Sequence, residues 1–136
     1  MEYAIDEQTA KSDLERMADI MDLDLSVDSS LDPKEQREAQ KTLDTVIKAI
    51  RLGQLVISDE GEATYTPRRS KDVPPITFYE PSGATLLAAD KYGDKQKMHK
   101  MYAMIAEMCK IEPATFSKLK KYDINGLLAV GGLFLG

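Results

Sequence analysis

Histidine is the side chain most often used for acid-base catalysis near neutral pH, and the sequence contains a single one, His99. Catalytic use would require a carboxylate that orients the ring, or a serine or cysteine that the ring activates. No such residue occurs at a spacing that would bring it to His99. We therefore predict a solvated histidine, no catalytic residues and no enzymatic activity.

Metal and phosphate chemistry have equally little support in the sequence. An acidic series occupies the end of the first predicted helix and the loop that follows it, and comprises Asp19, Asp22, Asp24 and Asp28. It lacks the glycine hinge and the terminal glutamate of a calcium-binding loop. A lone cysteine, Cys109, supplies neither a disulfide nor a zinc framework. The glycines do not form a strand-to-helix phosphate motif with a lysine, so we expect no metal and no cofactor.

Basic residues could serve nucleic-acid binding. Three lysines, Lys118, Lys120 and Lys121, lie near two aromatic residues, and Arg68 and Arg69 could extend the cluster. The chain as a whole is acidic, with a net charge of -5 and a pI near 4.9, so nucleic acid would require a segregated basic face. We predict that nucleic acid is not the partner and keep a small nucleic-acid-binding regulator as an alternative.

The net charge conceals a division between the two halves of the chain. Residues 1–66 contain 16 acidic and 7 basic side chains, whereas residues 67–136 contain 7 acidic and 11 basic side chains. The differences, 7 minus 16 and 11 minus 7, give -9 and +4. Such a division favours head-to-tail approach of copies or partners through long-range attraction. Solvated helix faces also produce such divisions, and the two explanations remain open.

Two amphipathic helices are predicted in the N-terminal half. In the first, apolar residues recur three and four positions apart, and the helix is expected to begin at Asp6 or Thr9 and to end near Leu23. The second is preceded by a capping aspartate followed by proline and is followed by a glycine. It is expected to extend from about Pro33 to Leu52.

Short strands are predicted in the middle of the chain. A turn joins Leu55–Ile57 to a returning strand at about 63–66, which indicates a hairpin. The segment 67–75 is basic and contains a double proline, and it is predicted to be a linker. A third strand is expected at 76–79 and a fourth at 84–88. The sequence therefore predicts a sheet of three or four antiparallel strands.

The last third of the chain is predicted to be helical. A helix is expected over about Asp94–Lys110, followed by a short helix that begins at Pro113 and a final helix capped by Asp123. Each glycine inside the final helix costs about 1 kcal/mol relative to alanine. These glycines are Gly126, Gly131 and Gly132.

The predicted fold is a mainly helical α+β fold. It has two N-terminal helices, the small antiparallel sheet, and a C-terminal bundle of two or three helices. By composition the chain divides into an acidic part (1–66), a basic connection (67–75) and a part with short strands and C-terminal helices (76–136), which together are expected to form one compact unit. No apolar run is long enough for a membrane-spanning helix, and we expect no membrane partner.

Apolar residues in the C-terminal helices are the predicted binding surfaces. A methionine-rich stripe is expected to be adaptable toward helical partners, and the last helix is apolar on most of its circumference, which favours contact with a second chain. Substitution of Leu128 and Phe134 by aspartate is predicted to abolish such contacts. The candidate residues are Met98, Met101, Tyr102, Ile105, Met108, Leu127, Leu128, Val130, Leu133 and Phe134.

The region from Pro75 to Phe134 combines a Pro-Ile strand, a Pro-x-Gly turn, a helix and the C-terminal pattern Leu119, Asp123, Leu127, Val130, Phe134. In this combination it resembles the tail assembly chaperones of long-tailed bacteriophages. The resemblance implies a non-enzymatic protein of the host cytoplasm that coats the helical tape measure protein, keeps it soluble and helps to recruit tail tube subunits. It also implies self-association and, in many members, a longer form produced by ribosomal frameshifting.

A permanent structural or completion subunit of a virion is the first alternative, and the nucleic-acid-binding regulator is an alternative from another class. For a virion subunit, neighbouring copies in the particle would bury the same apolar residues. Mass spectrometry of purified particles distinguishes the two hypotheses, because a chaperone leaves before the particle is complete and a structural subunit stays.

Overall fold

The computed structural model describes residues 3–135, so the outermost residues of the ranges 1–66 and 76–136 lie outside it. It confirms the predicted mainly helical α+β fold with a small antiparallel sheet. A short 3-10 helix, Pro113–Lys118, precedes the last α-helix. The other elements in chain order are α1 (Glu7–Met21), α2 (Pro33–Arg51), β1 (Leu55–Ile57), β2 (Ala63–Tyr65), β3 (Ile76–Phe78), α3 (Gly83–Leu87), α4 (Lys97–Cys109) and α5 (Lys121–Leu135).

Aspartate caps begin both N-terminal helices. The side chain of Asp6 accepts a hydrogen bond from the backbone N–H of Thr9 (2.7 Å), and Asp32 accepts one from the N–H of Glu35 (2.8 Å). Each cap satisfies an amide that has no partner within the helix. A left-handed residue, Asp22, ends α1 at φ 56°. The predicted bounds of both helices are therefore correct to within two residues.

The sheet has the strand order β1-β2-β3, and both pairs are antiparallel. Arg16 of α1 reaches the end of β1, where Nη2 donates to the carbonyl oxygen of Ile57 (2.8 Å) and Nε to that of Ser58 (3.3 Å). Asp13 accepts from Nη1 of the same guanidinium group at 2.9 Å. Two carbonyl groups at the end of this edge strand are thus occupied by a side chain, which limits their pairing with another strand.

The predicted fourth strand is wrong, because Gly83–Leu87 forms the short helix α3. The backbone N–H of Ser82 donates to Thr85 Oγ1 (3.0 Å), which fixes the first turn of this helix. Thr85 is buried and its hydroxyl also donates to Glu107 of α4. This local capping outweighs the short apolar run that suggested a strand.

The start of the last helix also differs from the prediction. Helix α5 begins at Lys121, so Asp123 lies in its first turn and is not its cap. The Asp123 side chain is fully buried and faces the chain that follows β2. The short helix expected at Pro113 is confirmed as the 3-10 helix.

Two glycines of α5 have a packing role that the sequence did not reveal. A Cβ atom on Gly126 would lie 2.7 Å from the hydroxyl oxygen of Tyr65, and one on Gly131 would lie 2.6 Å from Cδ1 of Ile105. Both glycines are buried, whereas no atom lies within 4 Å of the equivalent position on Gly132. The absence of a side chain at the first two positions lets the helix approach β2 and α4 closely.

Within residues 3–135, one hydrophobic core joins every element except α3. It includes residues of α1, α2, the sheet, α4, the 3-10 helix and α5. The predicted linker 67–75 contributes to this core through Val73, and Ser70 is also buried. The connection is therefore packed against the rest of the protein. Within residues 3–135, none of the helices combines the length and the apolar character needed to cross a membrane.

Candidate binding surfaces

Half of the predicted binding residues lie in the interior of the chain. In this structure the buried ones offer no surface to a partner: Ile105, Met108, Leu127, Val130 and Phe134. Four others are partly buried against the core: Met101, Tyr102, Leu128 and Leu133. Met98, at the start of α4, is 52% exposed. In the last helix the chain itself therefore covers Leu127, Val130 and Phe134, whereas Leu128 and Leu133 remain partly exposed.

The reason is that elements distant in sequence surround the C-terminal helices. Helix α5 packs along α2 and against α4, and the ring of Phe134 stacks on that of Phe78 in β3 with 5.7 Å between centroids. Tyr102 of α4 stacks on Phe116 at 4.4 Å. These contacts bury apolar area that would cost about 25 cal/mol per Å² if left in water.

Among residues 3–135, the large apolar side chains with the highest exposed fractions lie on α3. Leu87 is 67% exposed and Leu86 is 61% exposed. Sequence reasoning missed them because it placed both residues in a strand of the sheet. A helix-start signal precedes them in the Pro-Ser-Gly turn and in Thr85, and it would have suggested a short surface helix.

An apolar groove lies beside these leucines, between α3 and α4. We call it the α3–α4 groove; its volume is about 310 Å³. Leu87 forms one wall, and its lining also includes Ala88, Lys91, Ala103, Ala106, Glu107, Ile111 and Pro113. Small side chains of α4 form the lining opposite Leu87, so an apolar side chain of a partner could enter.

A second and larger groove lies between α2 and α5. We call it the α2–α5 groove; its volume is about 600 Å³. Its apolar surface is formed by Ala49 and Gly126 together with the half-buried Leu128 and Ala129. Polar and charged residues complete the lining: Glu38, Lys41, Thr42, Thr45, Lys48, Gln54, Tyr65, Tyr122 and Asn125.

One end of this groove is held rigid by side-chain hydrogen bonds. The amide of Gln54 and the hydroxyl of Tyr122 are paired, with Nε2 donating at 2.9 Å and the hydroxyl lying 3.0 Å from Oε1. The guanidinium carbon of Arg69 lies 4.9 Å from the centroid of the Tyr122 ring, a cation-π geometry.

Asp123 is the polar centre that fixes this arrangement. Its carboxylate accepts hydrogen bonds from the backbone N–H groups of Arg68 (2.8 Å) and Arg69 (2.9 Å) and from the hydroxyls of Tyr65 (3.0 Å) and Ser70 (2.7 Å). Burial alone would raise the pKa of this carboxyl group, but the hydrogen bonds from Ser70, Arg68 and Arg69 outweigh burial and lower the pKa.

No model of a known protein family matches this chain, and no curated protein or solved structure matches it.

The histidine and the cysteine, which the sequence offered as candidate reactive groups, lie in solvent and in the packed interior, respectively. His99 is exposed and its ring stacks on Tyr92 at 5.6 Å. Burial raises the pKa of the Cys109 thiol to about 12, which keeps it protonated and unreactive at neutral pH. Within residues 3–135, no three His, Cys, Asp or Glu side chains converge in a way that could hold a metal ion.

The lowered pKa of Asp123 predicts a loss of stability in acid. An unfolded aspartate titrates near 3.9, and the folded carboxyl group titrates below that value. Its contribution to the free energy of unfolding is complete above about pH 4 and is lost as the pH falls through the folded pKa. Urea unfolding of the wild type and of Asp123→Asn across this range measures the effect. A pH dependence of the same size in both proteins would contradict it.

Proposed function

We propose that the chain is a non-enzymatic tail assembly chaperone that binds the helical tape measure protein of a long-tailed bacteriophage. The resemblance of residues 75–134 to that family is one support. The observation that carries the proposal is the exposed pair Leu86 and Leu87 beside the α3–α4 groove. Two adjacent leucines that remain largely in water on a folded protein mark an interaction surface.

The chemistry of this surface suits an amphipathic client helix. Apolar residues on one face of such a helix would contact the leucines and insert into the groove. Met98 adds a flexible apolar side chain at the start of α4. Four lysines lie between α3 and the middle of α4, namely Lys91, Lys95, Lys97 and Lys100. Acidic residues that flank the apolar face of the client would complement them.

The roles that follow from this proposal are those of a chaperone. The protein would cover apolar stripes of the tape measure protein in the host cytoplasm and release it when tail tube subunits assemble. Self-association along the client, and recruitment of the tube protein, stay predictions. A permanent virion subunit remains the alternative, and its presence in purified particles would support it.

The test is co-expression with a tape measure protein in bacteria and measurement of its soluble fraction. The double substitution Leu86→Asp and Leu87→Asp is expected to reduce the soluble client at least about tenfold, since two charged groups would have to be buried in the interface. Circular dichroism should show an intact fold, because both side chains are exposed.

Val56→Asp is the matched control, since Val56 is an exposed apolar residue on β1 that does not belong to this surface. It is expected to leave the soluble client unchanged. A client that stays soluble with the double variant, or equal losses with the variant and the control, would overturn the proposed surface. A wild-type protein that does not increase the soluble client would overturn the function.

A further inference from the structure

Two basic segments that lie about 50 residues apart in sequence meet at one end of the α2–α5 groove. Asp123 binds the backbone of residues 68 and 69, and the backbone N–H of Lys120 donates to Ser70 Oγ at 2.8 Å. The cations at this junction are Arg68, Arg69, Lys118, Lys120 and Lys121, and we call them the basic patch.

The side chains of the basic patch are available to a partner. All five residues are exposed. Among residues 3–135, the ion pairs connect other groups, and none involves a member of this patch. Asp123 forms no ion pair with it, because its carboxylate is buried and its hydrogen-bond donors are two backbone N–H groups and two hydroxyls. The patch is therefore a cluster of cations without ion pairs on a chain whose total charge is negative.

The α2–α5 groove continues this positive surface with an apolar one. Tyr122 connects the groove to the basic patch, since it lines the groove and its ring contacts the guanidinium group of Arg69. Further along, the rim carries Lys41 and Lys48 of α2, and Glu38 is the acidic residue in the lining. Between these charges lie the small or apolar side chains of α2 and α5 described above.

The geometry points to a second docking site, in which the α2–α5 groove and the basic patch bind an acidic amphipathic segment of a partner protein. Apolar side chains of that segment would enter the groove, and its carboxylates would face the lysines of the rim and the cations of the patch. This site shares no residue with the α3–α4 groove. It is an additional function that does not depend on the proposed one.

Several observations favour an acidic peptide over nucleic acid. The ring of Tyr65 is buried, and the half-buried ring of Tyr122 carries Arg69 on one face and pairs its hydroxyl with Gln54, which limits the stacking of a base. The apolar surface of the groove has no counterpart in a phosphate backbone. The remaining acidic surface of the chain repels a long polyanion, whereas a short segment contacts only the site.

The test uses a fluorescein-labelled helical peptide with leucine on one face and glutamate on the others, and fluorescence anisotropy as the readout. Binding is expected at low ionic strength and is expected to weaken as salt rises. The double substitution Arg69→Glu and Lys121→Glu should weaken it at least about tenfold. A second variant, Asn125→Trp, places a large ring on an exposed residue of the lining and should weaken it by a similar factor.

The matched control is Lys34→Glu with Arg37→Glu, which makes the same charge change at exposed positions outside both grooves and the patch. It should retain binding. The Leu86→Asp, Leu87→Asp variant should also bind the peptide, and the other variants are compared in that background, so that the α3–α4 groove does not offer the same peptide a second site. A peptide in which lysine replaces glutamate should not bind.

Several results would overturn the proposal. Absence of peptide binding, or equal weakening by the site and control variants, would do so. Binding of a single-stranded thymidine oligonucleotide in place of the peptide would assign the patch to nucleic acid. Self-association that is lost in the Arg69→Glu and Lys121→Glu variant, with no peptide binding, would assign the site to a second copy of the chain.

Discussion

Replacement of Asp123 by alanine is expected to destabilise the protein by about 3–5 kcal/mol. The substitution removes the acceptor of four hydrogen bonds and leaves the N–H groups of Arg68 and Arg69 and the hydroxyls of Tyr65 and Ser70 without their partner. A buried donor that loses its acceptor retains the full cost of its removal from water. Because a domain of this size has a total stability of about 5–15 kcal/mol, much of it would be lost.

Chemical denaturation followed by circular dichroism measures this effect. Asp72→Ala is the control, since Asp72 is an exposed carboxylate on the same connection and should change stability by less than about 0.5 kcal/mol. Tyr65→Phe removes one of the four donors and keeps the others, so the stability of this variant should lie between those of the Asp123→Ala and Asp72→Ala variants. Equal stability of the Asp123 and Asp72 variants would show that the hydrogen-bonded centre contributes nothing.

The effect of Asp123→Ala should extend to the second docking site. Without the carboxylate, the backbone N–H groups of Arg68 and Arg69 lose their hydrogen bonds to the first turn of α5, while the Lys120–Ser70 hydrogen bond remains. The position of the basic patch relative to the groove is then less well defined. At a temperature where the variant is still folded, its affinity for the acidic peptide should fall although every cation is retained. A lower affinity would show that Asp123 positions the basic patch, because the substitution removes none of the cations of the patch.

The two N-terminal helices and the hairpin were predictable because their signals are local. An aspartate followed by Pro33 marks the start of α2, and the turn between the strands marks the hairpin. Capping and turn formation involve residues only a few positions apart, so the sequence contains all that is needed. The two basic segments were also predictable, because each consists of residues that are close together in the sequence.

The sites were not predictable, because they depend on contacts between distant residues. Asp123 has the sequence context of a helix cap, and only its contact with residues 68–70 reveals its role. Likewise, the apolar pattern of α5 indicates that its surface must be covered, but not whether α2 or a second chain covers it. Leu86 and Leu87 were assigned to a strand for a local reason. Five residues are too few for a periodic pattern to distinguish a helix from a strand.

Gly126→Ala tests the close packing of α5 against Tyr65 of β2, and it is expected to destabilise the protein by about 1–3 kcal/mol. The added methyl group would lie 2.7 Å from the Tyr65 hydroxyl oxygen and 2.9 Å from the ring, closer than van der Waals contact allows. The Tyr65 ring cannot move aside freely, because its hydroxyl donates to Asp123. The gain in helix propensity of up to about 1 kcal/mol offsets only part of this cost.

Gly132→Ala is the matched control on the same helix, where an added methyl group meets no atom within 4 Å. It should stabilise the protein by up to about 1 kcal/mol, because alanine is the better helix former and nothing opposes it. Denaturation midpoints of the two variants should therefore move in opposite directions from that of the wild type. Midpoints that both rise would mean that α5 does not approach β2 as closely as the Tyr65 contact requires, and that the α2–α5 groove has a different shape.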